Sequence, residues 1–446
     1  METTHKPRMR GTRVALAALV VLALVVRGGA LVAQPHPYDN SGLVSDHGEL
    51  ARNVVSHDMW FVVNLKALAL IGDRQKRENR LVDPAVVHFG AVDARPTYQP
   101  QVLQPVGEGV LLAGIWSVTG DQHYIYLQVL QVALDSAMVL LVFWICLALY
   151  RRRRAAWIAA FLYAVFVPLA LTARIPHLDI WAVDFSIVVV ALLVRSRASP
   201  QPVPWLLAAG AATGLGAYFR PGLLLVPLLF ALAAWPWSRW RGVLRLAGVP
   251  LLVAALLLVP WTIRNQDEFH RFIPTRIGIG QNLWEGLGEV GNSFGAVLDD
   301  QATARQVARV RPDLVYGSPA YDSYLEDRAT SAIVDHPDHF ARVVARRAFI
   351  MTVGLHNLAL PLGVFEPLLF VLAVLAAIWT RRRFGESHVL LASVVVATLA
   401  PYLLLHVEPR YVLPASFVYL IWLALGIDLI AERRAERAPR KAPALA

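Results

Sequence analysis

The sequence predicts an all-α polytopic membrane protein, with about ten transmembrane helices and two large outer loops carrying amphipathic surface helices. Three observations predict the membrane architecture. The 446-residue chain is 57% hydrophobic and 17% charged, with a mean hydropathy of +0.49, too little charge for a soluble chain of this length. Apolar runs of roughly 18 residues or more, enough to cross a bilayer, recur along it. Arginine clusters stand at alternate ends of those runs, the pattern that sets orientation.

Taken in order, the spans are expected near 13–33, 124–150, 155–173, 180–195, 204–219, 221–237, 243–262, 363–380, 388–405 and 411–430. The first follows a basic N-terminus like a signal peptide. It lacks a convincing small-residue cleavage site and many spans follow, so it reads as an uncleaved first helix. Gly214, Gly216 and Pro221 mark the fifth and sixth as a broken hairpin, which needs protein packed around it. The clusters at Arg8/Arg10/Arg13, 151–154, Arg195/Arg197, Arg239/Arg241/Arg245, 381–383 and Arg433/Arg434/Arg437 share one side only if both termini are cytoplasmic. The loops 34–123 and 264–362 then lie outside, and long loops are exempt from the charge rule.

In the first loop, Leu50, Val54, Val55, Phe61 and Leu65 space an amphipathic surface helix over 48–66. In the second loop, 339–355 reads the same way. The tail 431–446 is polar and expected to be disordered. The net charge of +10 sits at span ends, so it reads as a topology signal and not as a nucleic-acid surface. Cys146 is the only cysteine, which excludes an internal disulfide.

Three polar clusters fall at outer span ends: Ser45-Asp46-His47-Gly48-Glu49, Pro260-Trp261-Thr262-Ile263-Arg264-Asn265 and Glu408-Pro409-Arg410-Tyr411. With Tyr98-Gln99-Pro100-Gln101-Val102-Leu103-Gln104-Pro105 and Arg410-Tyr411-Val412-Leu413-Pro414, their order and common side resemble the GT-C membrane glycosyltransferases. The nearer likeness is to the protein O-mannosyltransferase and lipid A aminoarabinose transferase group, over nearly the whole chain. Departures are His47 in place of a second acid, no following Tyr, and no Pro-Pro or Lys-Pro pair in the proline-rich stretch.

The resemblance implies an inverting transfer of a sugar from a polyprenyl-phosphate-linked donor to an acceptor glycan, lipid or protein, among membrane lipids and without nucleic acid. Such chemistry needs a base for the acceptor hydroxyl and cations for the leaving phosphate. Asp46 is the candidate base; the alternative is a cap for the surface helix. Asp179, in Ile175-Pro176-His177-Leu178-Asp179, matches a second acid that assists the base or holds a metal; the alternative is an ordinary loop acid. His177 and Asp184 are its candidate neighbours, and Glu49 completes the first cluster.

Arg264 and Arg410 are the candidate phosphate ligands, since a planar guanidinium donates two bonds to a phosphodiester; the alternative is snorkelling to headgroups. Tyr411 is placed to stack on sugar or carrier, and Arg220 and Arg174 are weaker candidates. Inside the membrane, Gln128, Gln131 and Asp135 share a helix face; the favoured reading is an acid satisfied by Arg27 or another buried arginine, and the alternative is a functional residue. A divalent cation is left open and no metal ligand set is assigned. No Cys/His metal pattern, phosphate-cradling glycine loop or Gly-x-Ser-x-Gly elbow occurs. A non-catalytic lipid transporter or flippase, or an envelope-assembly scaffold, is the alternative function.

Overall fold

The computed structural model describes residues 7–33, 45–57, 61–63, 98–100, 102–353 and 365–437. Its helices are α1 (Pro7–Ala33), α2 (Ser45–His57), α3 (Gly107–Thr119), α4 (Ile125–Tyr150), α5 (Arg153–Ala164), α6 (Val167–Ala173), α7 (Leu178–Ala198), α8 (Val203–Ala217), α9 (Leu225–Ala233), α10 (Trp240–Phe269), α11 (Ile279–Leu287), α12 (Asp300–Val310), α13 (Pro319–Asp335), α14 (Pro337–Val353), α15 (Phe365–Leu404) and α16 (Ser416–Arg437). A 3-10 turn, Pro409–Ala415, joins the last two, and a short antiparallel ribbon pairs β1 (Phe61–Val63) with β2 (Tyr98–Pro100). The protein is a polytopic, predominantly helical membrane protein.

Five helices among the described residues are long and apolar enough to cross a bilayer, and the bent pair α5–α6 makes a sixth. The other expected crossings fall on α7, on the shorter apolar segments Val203–Ala217 and Pro221–Ala233, and on α15. α15 is two arms meeting at a non-helical Phe384. Thr380 Oγ1 lies 2.7 Å from His388 Nε2, whereas eight residues of straight helix would separate them by about 12 Å. Phe370 packs on Tyr419 and Trp379 carries Arg433. The first arm therefore runs beside α16 and the second returns.

The arginine-rich ends gather on one side of the bundle. Arg152 pairs with Asp428 and Glu432, Arg197 with Glu386, and Arg383 with Glu432 at 3.7 Å. Inside the bundle, Arg27 and Tyr163 both bond Asp135, and Arg27 also donates to the carbonyls of Ala164 and Tyr163 at 2.9 and 3.2 Å. This fully buried pair ties α1 to α4 and α5, and identifies Arg27 as the buried arginine that satisfies Asp135. Gln128 Nε2 donates to Arg174 O at 2.6 Å, so it fastens the opposite end.

Several expectations are corrected. The surface helix over 48–66 begins at Ser45 and stops at His57, and Phe61 lies on β1. Gly210 and Gly214 serve close packing: a Cβ at either would lie 2.6 Å from Val253 Cβ or 2.9 Å from Ala254 Cα of α10. Small residues let membrane helices approach in this way. α10 runs to Phe269, past the expected span end, and the second loop is largely helical. There α11, α12 and α13 enclose their own core around Trp284, Leu287, Tyr321 and Leu325. Asp299 and Ser318 cap two of these helices through Ala302 N and Tyr321 N, satisfying otherwise unpaired donors. The tail expected to be disordered from Ala431 is helical to Arg437; its remainder lies outside the described residues.

Candidate active site

Opposite the arginine-rich ends, the start of α7, the α8–α9 junction, the starts of α2 and α3, the loop after α10 and the 3-10 turn converge. Asp179 stands in the first turn of α7, 2% exposed. Arg220 bonds its Oδ1, while His177 Nδ1 lies 3.0 Å and Arg410 Nε 3.3 Å from its Oδ2. Burial alone would raise this carboxyl, but the Arg220 and His177 charges outweigh it and hold the group well below the usual carboxylate range.

Arg220 also donates to Tyr402 Oη at 3.1 Å and lies over the Tyr411 ring at 4.7 Å. Tyr402 and Tyr411 stack at 4.4 Å. Arg410 Nη2 is 2.7 Å from Glu408, whose other oxygen is 3.6 Å from His406 Nε2. His406 Nδ1 is in turn 3.1 Å from Glu289, and Glu289 also pairs with Arg347 at 3.2 Å and Arg346 at 3.4 Å. Burial lowers His406, but its bonds to Glu289 and Glu408 prevail and carry it up to about 9. Beside the turn, Phe166, Met351, Phe370, Val412, Tyr419 and Leu423 line part of an apolar crevice with no charged residue among its described walls.

Of the predicted residues, Asp179, His177, Arg220, Arg410 and Tyr411 are thus brought together. Asp46 and Glu49 lie in the first turn and a half of α2, with side chains outside the described residues. Asp46 is helical and does not precede the helix. The motif holding Arg264 does a different job. Trp261 Nε1 donates to Thr275 O at 2.7 Å and Asn265 Nδ2 to Ile273 O at 2.8 Å, pinning the following loop to the end of α10. Arg264 itself bonds Asn265 Oδ1 at 2.8 Å and lies over Trp261 and Phe269.

The pinned loop delivers an arginine that sequence reasoning missed. Arg276 Nη1 sits 3.5 Å from Leu103 O and from Gln104 Oε1, and Ile277 N bonds Val102 O at 3.0 Å. Its guanidinium lies within electrostatic reach of Arg220, Tyr411 and Tyr402. Glu108, at the start of α3, was also missed. It is wholly buried within reach of the Asp179 and Arg220 charges; burial and then Asp179 push it up to about 8. Buried His47 is driven down to about 3, by burial and then by His177, Arg276 and Arg220. Only the proline-rich signature before α3 hinted at this region.

Among the described residues no group of three or more His, Cys, Asp or Glu could hold a metal ion. Both oxygens of Asp179 are already engaged by cations. Asp179 as it stands offers no open oxygen to a divalent cation, while the side chains of Asp46 and Glu49 lie outside the described residues.

No protein-family model matches the chain. It is 31% identical over 178 residues to an undecaprenyl phosphate-alpha-4-amino-4-deoxy-L-arabinose arabinosyl transferase of Pseudomonas aeruginosa, covering 36% of this chain and 32% of that protein. A counterpart from Pseudomonas fluorescens is 30% identical over 176 residues, with the same coverage. The chain thus spans about a third of the length of these curated relatives. Among solved structures, the Archaeoglobus fulgidus oligosaccharyltransferase in complex with Zn and sulfate superimposes with a TM-score of 0.54 at 14% identity, covering 95% of this chain and 50% of that one. The same enzyme with an inhibitory peptide and a dolichol-phosphate gives 0.52 at 14% identity, over 96% and 52%. The chain shares the fold of this oligosaccharyltransferase over about half of that enzyme's length.

Proposed function

We propose that the chain is an inverting glycosyltransferase that moves a sugar from a polyprenyl-phosphate carrier to an acceptor glycan, lipid or protein at the outer face of the plasma membrane. One observation carries this reading. Arg220 and Arg410 hold Asp179, and Arg276 lies within electrostatic reach of Arg220, at one end of the bundle. Three guanidiniums gathered in this way suit an anion, and the apolar crevice beside the 3-10 turn suits an isoprenoid chain. The relatives named above use or bind lipid-linked phosphates by name, in keeping with the same ligand class.

In this mechanism the acceptor hydroxyl oxygen attacks the anomeric carbon from the face opposite the phosphate. The carbon–oxygen bond to the phosphate breaks, its electron pair leaves with the carrier, and the configuration inverts. Asp46 takes the hydroxyl proton. Arg410 and Arg220 stabilise the charge that grows on the leaving phosphate. Asp179 holds these guanidiniums and His177 in place, a role that suits a carboxylate kept ionised; Tyr411 supports Arg220 from below. Glu49 and Arg264 are assigned to the rim of the site.

The test incubates purified protein with a panel of polyprenyl-phosphate sugars and follows released carrier phosphate by mass spectrometry. Acceptor-dependent release is expected, and Asp46→Asn should abolish most of it. Carrier binding without release from any donor would favour the transporter reading instead.

A further inference from the structure

Glu108 is a carboxylate within electrostatic reach of Asp179 that, among the described residues, no cation holds by a direct bond. It is 0% exposed, and neither of its oxygens has a hydrogen-bond partner among the described residues. Buried polar groups are rarely left unpaired, so each such atom calls for an explanation. Nearby, His47 is 4% exposed, and its Nδ1 is likewise without a partner among the described residues. Two groups without hydrogen-bond partners among the described residues therefore both lie within electrostatic reach of Arg220.

The backbone is built to hold Glu108 there. Gly107 N donates to Tyr218 O at 2.9 Å. A Cβ at Gly107 would lie 2.8 Å from that same oxygen, and one at Gly109 would lie 2.8 Å from Leu50 Cδ2 and 3.2 Å from His47 O. Glycine on both sides thus lets α3 wedge between α2 and the end of α8, with Glu108 at the junction. A carboxyl deprived of water beside a second, ionised carboxylate keeps its proton. It is then a donor as well as an acceptor.

We propose that Glu108 is a ligand-binding residue of this site, whose buried carboxyl donates a hydrogen bond to an oxygen of the lipid donor, on its phosphate or on its sugar. The assignment rests on the proposed lipid-phosphate donor. It gives the unpaired carboxyl its partner and leaves His47 Nδ1, neutral at physiological pH, to accept from a neighbouring hydroxyl. Ionised, Glu108 would repel the donor's charge. Asp179 and Arg220 lie within electrostatic reach of it; around those two stand His47, His177 and Arg276, with Tyr402, Glu408, Arg410 and Tyr411 beyond them. Asp179 is held low and Arg220 raised, so both keep their charge between pH 7 and 9, and the carboxyl at about 8 changes within that window.

Full-length wild type, Glu108→Gln and Glu108→Ala are compared in detergent for binding polyprenyl phosphate, and polyprenyl phosphates bearing a hexose or a pentose, at pH 7 and 9. Gln keeps a donor and cannot ionise. It should bind as wild type does at pH 7 and surpass it at pH 9, whereas Ala should bind roughly 3- to 10-fold more weakly at pH 7. The wild-type-to-Gln difference cancels titration of the phosphate, and of His406 at about 9. An effect with unsugared carrier assigns the bond to phosphate; an effect only with sugared donors assigns it to the sugar. If Glu108→Gln follows the wild-type pH profile with every probe, the proposal is overturned, whether or not the Ala variant folds. A wild type that binds no carrier at all would refute the proposed function and remove this ligand with it.

Discussion

In the proposed mechanism Asp46 and Asp179 have different roles. Asp179 is wrapped by Arg220, His177 and Arg410, which stabilises its charge and lowers its appetite for a proton. It is therefore proposed as an orienting group, with Asp46 proposed as the base. Asp46→Asn keeps shape and helix compatibility but cannot accept a proton. Turnover should therefore drop by roughly 10²–10⁴-fold with donor binding retained; near-normal turnover in a steady-state assay would transfer the role to Asp179. The arginines separate in the same way. Arg410→Ala should weaken carrier binding by about 10- to 150-fold, the loss of a charge-assisted bond. Arg264→Ala should change it far less, because that side chain bonds Asn265 and lies over Trp261. Equal losses in a binding titration would restore Arg264 as a phosphate ligand.

At the level of elements, two charged links fasten the site to its surroundings. His406 joins Glu289, after α11, to Glu408 beside the 3-10 turn. Its folded-state value near 9 lies above the free value of 6.5. The stabilisation is therefore full below about pH 6.5 and is lost as pH rises through about 9. Melting temperature should fall between pH 7 and 9.5 in the wild type and change less in His406→Gln, as read by differential scanning fluorimetry. The second link is Arg27–Asp135, which joins α1 to α4 and α5 within the membrane. Arg27→Met alone strands a buried carboxylate and should cost about 3–5 kcal/mol. Adding Asp135→Leu should recover much of it. Folded yield on size-exclusion chromatography reports this; a single variant as stable as the double would show that Asp135 has another partner.

For the whole molecule, the ion pairs Arg152–Asp428, Arg197–Glu386 and Arg383–Glu432 place the basic ends together, and the Asp179 cluster lies at the other end. If the basic side is cytoplasmic, a cysteine at exposed Ala320 should react with an impermeant thiol reagent on intact cells, and one at Ser199 should not. The single native thiol, Cys146, is buried, so its background is low. Reversed labelling would move the proposed site to the cytoplasm.

The sequence by itself determined the polytopic helical class, the alternation of basic ends, a buried arginine partner for Asp135 and five members of the charged cluster. Each is written locally, in the length of an apolar run, the charge at its end or a motif beside it. Hydropathy could not separate a kinked hairpin at Phe384 from two distant spans, nor see that α10 runs through Arg264 to Phe269. It could not see Arg276, Glu108 or His406 as site residues either. Arg276 reaches the site because Trp261 and Asn265 pin the loop before it. Glu108 does so because two glycines let three helices close on it, and His406 because a carboxylate far along the chain meets it. Only the tertiary structure decides such meetings, since a side chain's neighbours across a bundle depend on how helices pack and where loops return, and neither has a period in the sequence.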